Sequence, residues 1–131
     1  MSAPRQNETE IQDAIRLELG RERDLVLWRN NLGNVERWDH RSGNTIRAHA
    51  GLPPGSPDLV GILTVEHGGA SVGRFFALEV KTPHGRTAPA RALAQEQFRS
   101  LIRAKGGFAA VVRSPAEARA ALERARAGAS E

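Results

Sequence analysis

The chain has 131 residues, of which 40% are hydrophobic, and this length suits one domain with a single core. No cysteine is present, which excludes disulfide frameworks, thiolate zinc sites and cysteine nucleophiles. The longest apolar runs are only a few residues, well short of the roughly 20 that cross a bilayer, and no apolar signal segment opens the chain. We therefore expect a cytoplasmic protein.

The positive charge is carried almost entirely by arginine. The chain has 17 arginines, Lys81 and Lys105 are its two lysines, and the formal net charge is +4. Arginine suits phosphate recognition, which favours a nucleic-acid partner. A GC-rich genome also enriches arginine, alanine and glycine, so composition alone leaves both explanations open.

The first predicted element is an amphipathic helix over residues 8–22. Ile11, Ile15 and Leu19 recur at helical spacing, and either Asn7 or Thr9 can serve as the N-cap.

The apolar run 25–28 predicts a short strand with Trp28 in the core. Residues 35–49 hold two weakly β-like stretches around a turn at 42–44, which indicates a polar hairpin or an ordered loop. The proline-rich segment 51–57 excludes regular structure.

A β-hairpin is predicted next, with strands over 58–65 and 74–82 joined by a glycine-rich turn over 67–73. Alternation in the second strand assigns its residues to two faces. One face holds Phe75, Ala77, Glu79 and Lys81, and the other holds Phe76, Leu78 and Val80.

The last third of the chain predicts two helices around one strand. The first helix has Thr87 as its cap and Pro89 in its first turn, and it ends at Gly106. A buried strand follows over 108–113, and Ser114 caps a final helix that ends near residue 126. Residues 128–131 are expected to fray.

Together these elements predict an α/β fold with a mixed central β-sheet flanked by α-helices. We expect a single domain over residues 1–131, with an ordered core of about 7–126.

The residues that carry chemistry are Asp58, Glu79 and Lys81. Asp58 opens one strand of the hairpin, while Glu79 and Lys81 end the next, so strand pairing can bring all three together. Two carboxylates, with the Val80 backbone carbonyl as a further oxygen donor, suit Mg²⁺ or Mn²⁺. Lys81 can orient an attacking water, accept its proton or stabilise charge on phosphorus. This set predicts phosphodiester hydrolysis.

By itself the Glu79-x-Lys81 pair is better explained as a solvated ion pair on an edge strand. Pro57-Asp58 at the start of the preceding strand shifts the interpretation towards a site, as do Arg86 and Arg91 beyond the lysine.

The motifs resemble the VRR-NUC domain (virus-type replication-repair nuclease) of the PD-(D/E)xK nuclease superfamily. The resemblance covers residues 10–122 and is densest over the segments 55–59, 78–82, 85–87, 95–98 and 106–108. It implies a restriction-endonuclease-like fold and a protein of a bacterial or phage-infected cell.

The resemblance also implies roles for individual residues. Asp58 and Glu79 match the family's metal ligands, and Lys81 matches its catalytic lysine. A helix glutamate also joins the family's metal site. Glu10 is preferred for it because Ile11 starts the buried stripe; Glu8 is the alternative, and a structural role at the helix N-terminus is equally open on sequence alone. The family's helix glutamine matches Gln95, with Gln97 as the competing candidate.

Family members of this size resemble homodimeric nucleases that cut branched DNA such as four-way (Holliday) junctions, which implies a DNA-repair type of activity with Mg²⁺ or Mn²⁺. Candidate DNA-binding residues are Arg86, Arg91, Arg47 and His84. The alternatives are a non-catalytic nucleic-acid-binding module and a nuclease subunit that needs a partner.

Overall fold

The computed structural model describes residues 6–31 and 33–131. Its elements are, in chain order, α1 (Glu8–Leu19), β1 (Leu25–Arg29), β2 (Gly33–Asp39), β3 (Asn44–Ala50), β4 (Leu59–His67), β5 (Ala70–Val80), α2 (Pro89–Ala104), β6 (Phe108–Val112) and α3 (Pro115–Arg126).

Four strands form a central mixed sheet in the order β1-β4-β5-β6. The β1/β4 and β4/β5 pairs are antiparallel, and the β5/β6 pair is parallel across the α2 crossover. Strands β2 and β3 pair only with each other among the described strands and form a separate two-stranded ribbon. The predicted mixed α/β architecture with helices on the sheet is confirmed.

Helices α1 and α3 cover one face of the sheet, and α2 lies on the other. Phe76, Leu78 and Val80 of β5 join the larger core with the apolar stripes of α1 and α3. On the opposite face, Ala77 packs with Ile102 of α2. The predicted alternation of the core residues of β5 is therefore confirmed.

Helix α2 covers only part of its face of the sheet. Trp28 on β1 is 51% exposed, and its neighbours Val26, Ile62 and Phe75 on the same face are 40–48% exposed. The prediction that Trp28 belongs to the core is wrong, because alternation turns Leu25 and Leu27 towards the main core and leaves Trp28 on the face that α2 does not reach.

The hairpin of β4 and β5 is longer than predicted. Its turn consists of Gly68 and Gly69 alone, with φ of 59° and 83°, and His67 already pairs with Ala70. Two consecutive residues with positive φ form the tight turn that matches strand twist, and glycine adopts it without a Cβ penalty. The expected seven-residue turn over 67–73 is therefore corrected. Strand β5 ends at Val80, so Lys81 lies just beyond it.

The predicted ends of two helices and the predicted behaviour of the C-terminal tail also differ. Asn7 caps α1 as one of the two predicted candidates, but that helix stops at Leu19. The N-cap of α2 is Ala88 rather than Thr87, with no side-chain capping bond. Residues 128–131 do not simply fray, because the Ser130 carbonyl accepts a hydrogen bond from the Ala109 amide at 3.1 Å and so places the tail beside β6.

In the described part of the chain, every helix is too short or too polar to cross a lipid bilayer.

Candidate metal and catalytic site

The segment that delivers Asp58 is held on two sides. The side-chain amide of Asn30, just after β1, donates to Ser56 Oγ at 2.9 Å and to the Pro57 carbonyl at 2.8 Å. On the other side, Gly55 has φ of 92°, and a Cβ built on it would lie 2.7 Å from the carbonyl oxygen of Ala94 in α2. Glycine is required here both for its backbone conformation and for this close approach. The loop is thus fixed between β1 and α2.

Asp58 is anchored to the end of the neighbouring strand. It directly precedes Leu59, which pairs with Leu78, so Asp58 lies across from Glu79. Its Oδ2 accepts a hydrogen bond from the Val80 amide at 2.7 Å. This bond fixes the orientation of a half-buried carboxylate at the end of the sheet.

The side chain of Glu79 is buried beside Asp58, with the residue only 1% exposed. Burial, followed by the negative charge of Asp58 and a hydrogen bond to it in the neutral form, raises the pKa of Glu79 to about 8, which Lys81 and Arg99 partly oppose. Its Oε1 accepts a hydrogen bond from Gln95 Nε2 at 3.3 Å, whereas its Oε2, when the group is ionised, is buried with no hydrogen-bond donor among the described residues. A buried carboxylate oxygen without a partner is costly, and a cation would relieve that cost.

The third carboxylate of the site comes from the first turn of α1 and belongs to Glu8. Carboxylate oxygens of Glu8, Asp58 and Glu79 lie within 4.8 Å of one another. This differs from the sequence preference for Glu10. The exposed Glu10 instead takes part in capping α1, because its amide donates to Asn7 Oδ1 at 2.8 Å and its Oε1 accepts from Asn7 Nδ2 at 3.3 Å. Positions 8 and 10 are about 200° apart around a helix, so both cannot face the same site.

Lys81 and Gln95 complete the cluster. Lys81 Nζ donates to Gln95 Oε1 at 2.8 Å and lies 3.6 Å from Glu79 Oε1. Gln95 is buried on α2, whereas Gln97 faces solvent. Of the two glutamine candidates, the structure therefore brings Gln95 to the site. Val80, whose backbone carbonyl was expected to be an oxygen ligand for the metal, ends β5 beside this cluster.

The predicted DNA-binding residues lie outside the carboxylate cluster. His84 and Arg86 are exposed in the connection between β5 and α2, and Arg91 is exposed in the first turn of α2. Arg47 is exposed on β3 of the separate ribbon.

Two residues of this region were missed in the sequence. Asn30 positions the loop before Asp58, but its partners are 26 and 27 residues away and no local pattern marks it. Arg99 is 9% exposed on α2 and its charge acts on Glu79. Its position, four residues after Gln95 on the same helix face, was a usable signal.

No family model and no curated protein matches this chain. The chemistry of the site is therefore inferred from its own residues and geometry.

Proposed function

We propose that this chain is a Mg²⁺- or Mn²⁺-dependent DNA endonuclease with a restriction-endonuclease-like fold, as its resemblance to VRR-NUC domains implies. The observation that carries the proposal is the buried Glu79 carboxylate, one of whose oxygens has no hydrogen-bond partner among the described residues. The carboxylate of Asp58 and the ammonium of Lys81 lie beside it.

The donor set fits a hard divalent cation. Glu8, Asp58 and Glu79 present only oxygen ligands, and their close approach leaves negative charge that a cation would balance. Such a cation would supply Lewis acidity to a phosphate and increase the acidity of a water. The unpartnered Glu79 oxygen supports this assignment beyond the presence of acidic residues alone.

The remaining residues position these groups. The Val80 amide fixes Asp58, and Gln95 holds the Lys81 ammonium at one atom and the Glu79 carboxylate at another. An ammonium held beside the carboxylates can orient a water molecule and stabilise negative charge on phosphorus in the transition state.

The substrate class also comes from the resemblance, which implies branched DNA such as a four-way junction and a homodimer that cuts it. Sedimentation of the chain with and without junction DNA would determine the number of copies that act together.

The test is cleavage of a fluorescent four-way junction, a flap and a plain duplex in Mg²⁺, Mn²⁺ or EDTA. We expect metal-dependent cutting by the wild type and by the control Lys105→Ala, and a loss of at least about 100-fold in Lys81→Ala. DNA binding without metal-dependent cutting of any substrate would contradict the enzyme proposal and favour a binding module. Cutting that appears only after a second protein is added would identify a partner-dependent subunit. Unchanged cutting by Lys81→Ala would refute the role of that lysine but not the proposed reaction.

A further inference from the structure

The β2–β3 ribbon (residues 33–50) is connected to the central sheet beside the candidate metal site. The chain leaves the central sheet after Arg29 and returns at Leu59, and these two residues pair with each other. One residue further out, the Asn30 amide donates to the Asp58 carbonyl at 2.8 Å. Both ends of the excursion that carries the ribbon are therefore tied together beside the carboxylate cluster.

Among the described residues, the ribbon does not pack extensively against any helix or against any strand of the central sheet. A two-stranded ribbon is marginally stable when it stands alone in water. Trp38, near its turn, is 58% exposed, so a large aromatic surface remains uncovered in the isolated chain.

The exposed charge of the ribbon is mainly positive, and among its described residues the one exposed carboxylate, Glu36, lies across from Arg47 without forming an ion pair with it. Arg37, Arg41 and Arg47 are exposed, and no described carboxylate forms an ion pair with any of them. The Asp39 carboxylate lies in the turn, where it accepts hydrogen bonds from the backbone amides of Arg41 at 3.3 Å and Ser42 at 3.1 Å.

Arginines of the α3 side differ in this respect. Arg126 bonds Glu22, Asp24 and Glu123, and Arg119 bonds Glu18 and Glu22. Those arginines link α3 to α1 and to the segment before β1, whereas the ribbon's arginines form no ion pair with a described carboxylate.

We propose that the ribbon is a DNA-binding arm that enters the major groove of a duplex segment next to the phosphate that a cation at Asp58 and Glu79 would bind. The inference deepens the proposed nuclease function and rests on it for the position of the cut. The major groove admits a two-stranded β-ribbon. Strands of seven residues extend about 23 Å at ~3.3 Å per residue, which corresponds to roughly six or seven base pairs. Trp38 and Arg47 share one face of the ribbon and lie against the DNA, while Arg37 on the other face and Arg41 in the turn reach phosphates at the groove edges.

The test measures binding in EDTA, where cutting does not intervene, by anisotropy of a fluorescent duplex at several salt concentrations. One variant combines Arg37→Gln, Arg41→Gln and Arg47→Gln. The matched control combines Arg16→Gln, Arg21→Gln and Arg23→Gln, which removes the same charge. These exposed positions lie in the last turn of α1 and just after it, at the end of the helix away from Glu8. A third protein carries lysine at the three ribbon positions.

We expect the ribbon variant to lose about 10- to 100-fold in affinity and to reduce the salt slope by about 2–3, because each phosphate contact contributes roughly 0.9. The control should lose less than about 3-fold, and the lysine protein should keep most of its affinity because it keeps the charge. Equal losses in the ribbon and control variants, or no loss in either, would overturn the inference.

Two further measurements separate the alternatives. In a Trp28→Phe protein, Trp38 is the one remaining tryptophan, and we expect its emission to change when the duplex binds. Unchanged emission would contradict contact with DNA. A ribbon variant that loses affinity because a dimer has dissociated, as seen by sedimentation, would instead make the ribbon an interface between copies. A ribbon that binds DNA in a protein that never cuts would refute the nuclease and leave the arm intact.

Discussion

Gln95 Oε1 accepts a hydrogen bond from Lys81 Nζ at 2.8 Å, which ties the middle of α2 to the residue that follows β5. The amide nitrogen of the same side chain points to Glu79 Oε1 at 3.3 Å. One buried glutamine therefore sets the position of an ammonium and a carboxylate at once, because its amide has both an acceptor oxygen and a donor nitrogen.

Substitution Gln95→Ala should lower the rate of metal-dependent DNA cleavage by about 10- to 100-fold, the usual cost of losing a residue that orients a metal or catalytic group. Gln97→Ala is the matched control, because Gln97 is exposed on the same helix, and it should cut like the wild type. Single-turnover cleavage of a junction, measured with DNA affinity in EDTA, separates positioning from binding. Equal rates for the two variants would contradict the role of Gln95.

The choice between two glutamates of α1 is also testable. Glu8→Gln should raise the Mg²⁺ concentration for half-maximal cutting by about 10- to 100-fold, because it removes one negative oxygen donor from the site. Glu10→Gln should change that concentration by less than about 3-fold, since the side chain of Glu10 contacts the helix cap. A metal titration of cleavage activity decides, and a larger effect at Glu10 would reverse the assignment.

Glu79 should make the metal-free protein sensitive to alkaline pH. Its pKa is raised from 4.5 to about 8, so its stabilising contribution is complete below pH 4.5 and is lost as pH rises through 8. Each pKa unit is worth about 1.4 kcal/mol, so the loss between pH 5 and 9 is on the order of a few kcal/mol.

In Glu79→Gln this loss disappears. In EDTA at about pH 9 we expect the melting temperature of this variant to exceed that of the wild type by roughly 10 °C, with a smaller difference near pH 5. Asp13→Asn, at an exposed position of α1, is the control and should follow the wild type. Parallel pH profiles for Glu79→Gln and the wild type would refute the raised pKa.

Arg126 connects α3 to the segment between α1 and β1. It forms ion pairs with Glu22 and Asp24. The bond to Arg126 lowers the pKa of Asp24, and the pKa of Glu22 is lowered first by Arg119 and then by Arg126. Carboxyls with lowered pKa stabilise the fold above their ordinary pKa, and this contribution is lost as pH falls through the pKa of the folded state.

Arg126→Gln should therefore lower the melting temperature at pH 7 by about 2–5 °C, with the difference shrinking in strong acid and in high salt. Arg41→Gln, which removes an exposed arginine without a carboxylate partner, should leave the melting temperature unchanged. Thermal melts at pH 3 and 7 measure both effects, and a pH-independent difference would exclude an ionic origin.

Much of the fold was readable because it follows from short-range patterns. Periodic apolar residues such as Ile11, Ile15 and Leu19 give a helix that buries one stripe, and alternation assigned the two faces of β5. Ser114 was recognisable as a helix cap because its partner, the amide of Glu117, is three residues away. The order of Asp58, Glu79 and Lys81 around a hairpin also followed from local pairing.

One error occurred where the outcome depends on distant residues, and another where it depends on the exact backbone state of a turn. Trp28 stands in an apolar run, yet its exposure is set by how far α2 extends over the sheet. The Gly68-Gly69 turn lengthened the hairpin because both glycines adopt positive φ, a backbone state that the surrounding glycine-rich residues did not reveal.

The sequence by itself determined the helices, the strands and the residue types that can bind a cation, because hydrophobic periodicity and donor chemistry are properties of neighbouring residues. Only the tertiary structure chose Glu8 over Glu10 and Gln95 over Gln97, because each choice depends on which side of a helix meets a sheet formed by other parts of the chain. The raised pKa of Glu79 likewise arises only from folding, which removes water from its carboxylate and places Asp58 beside it.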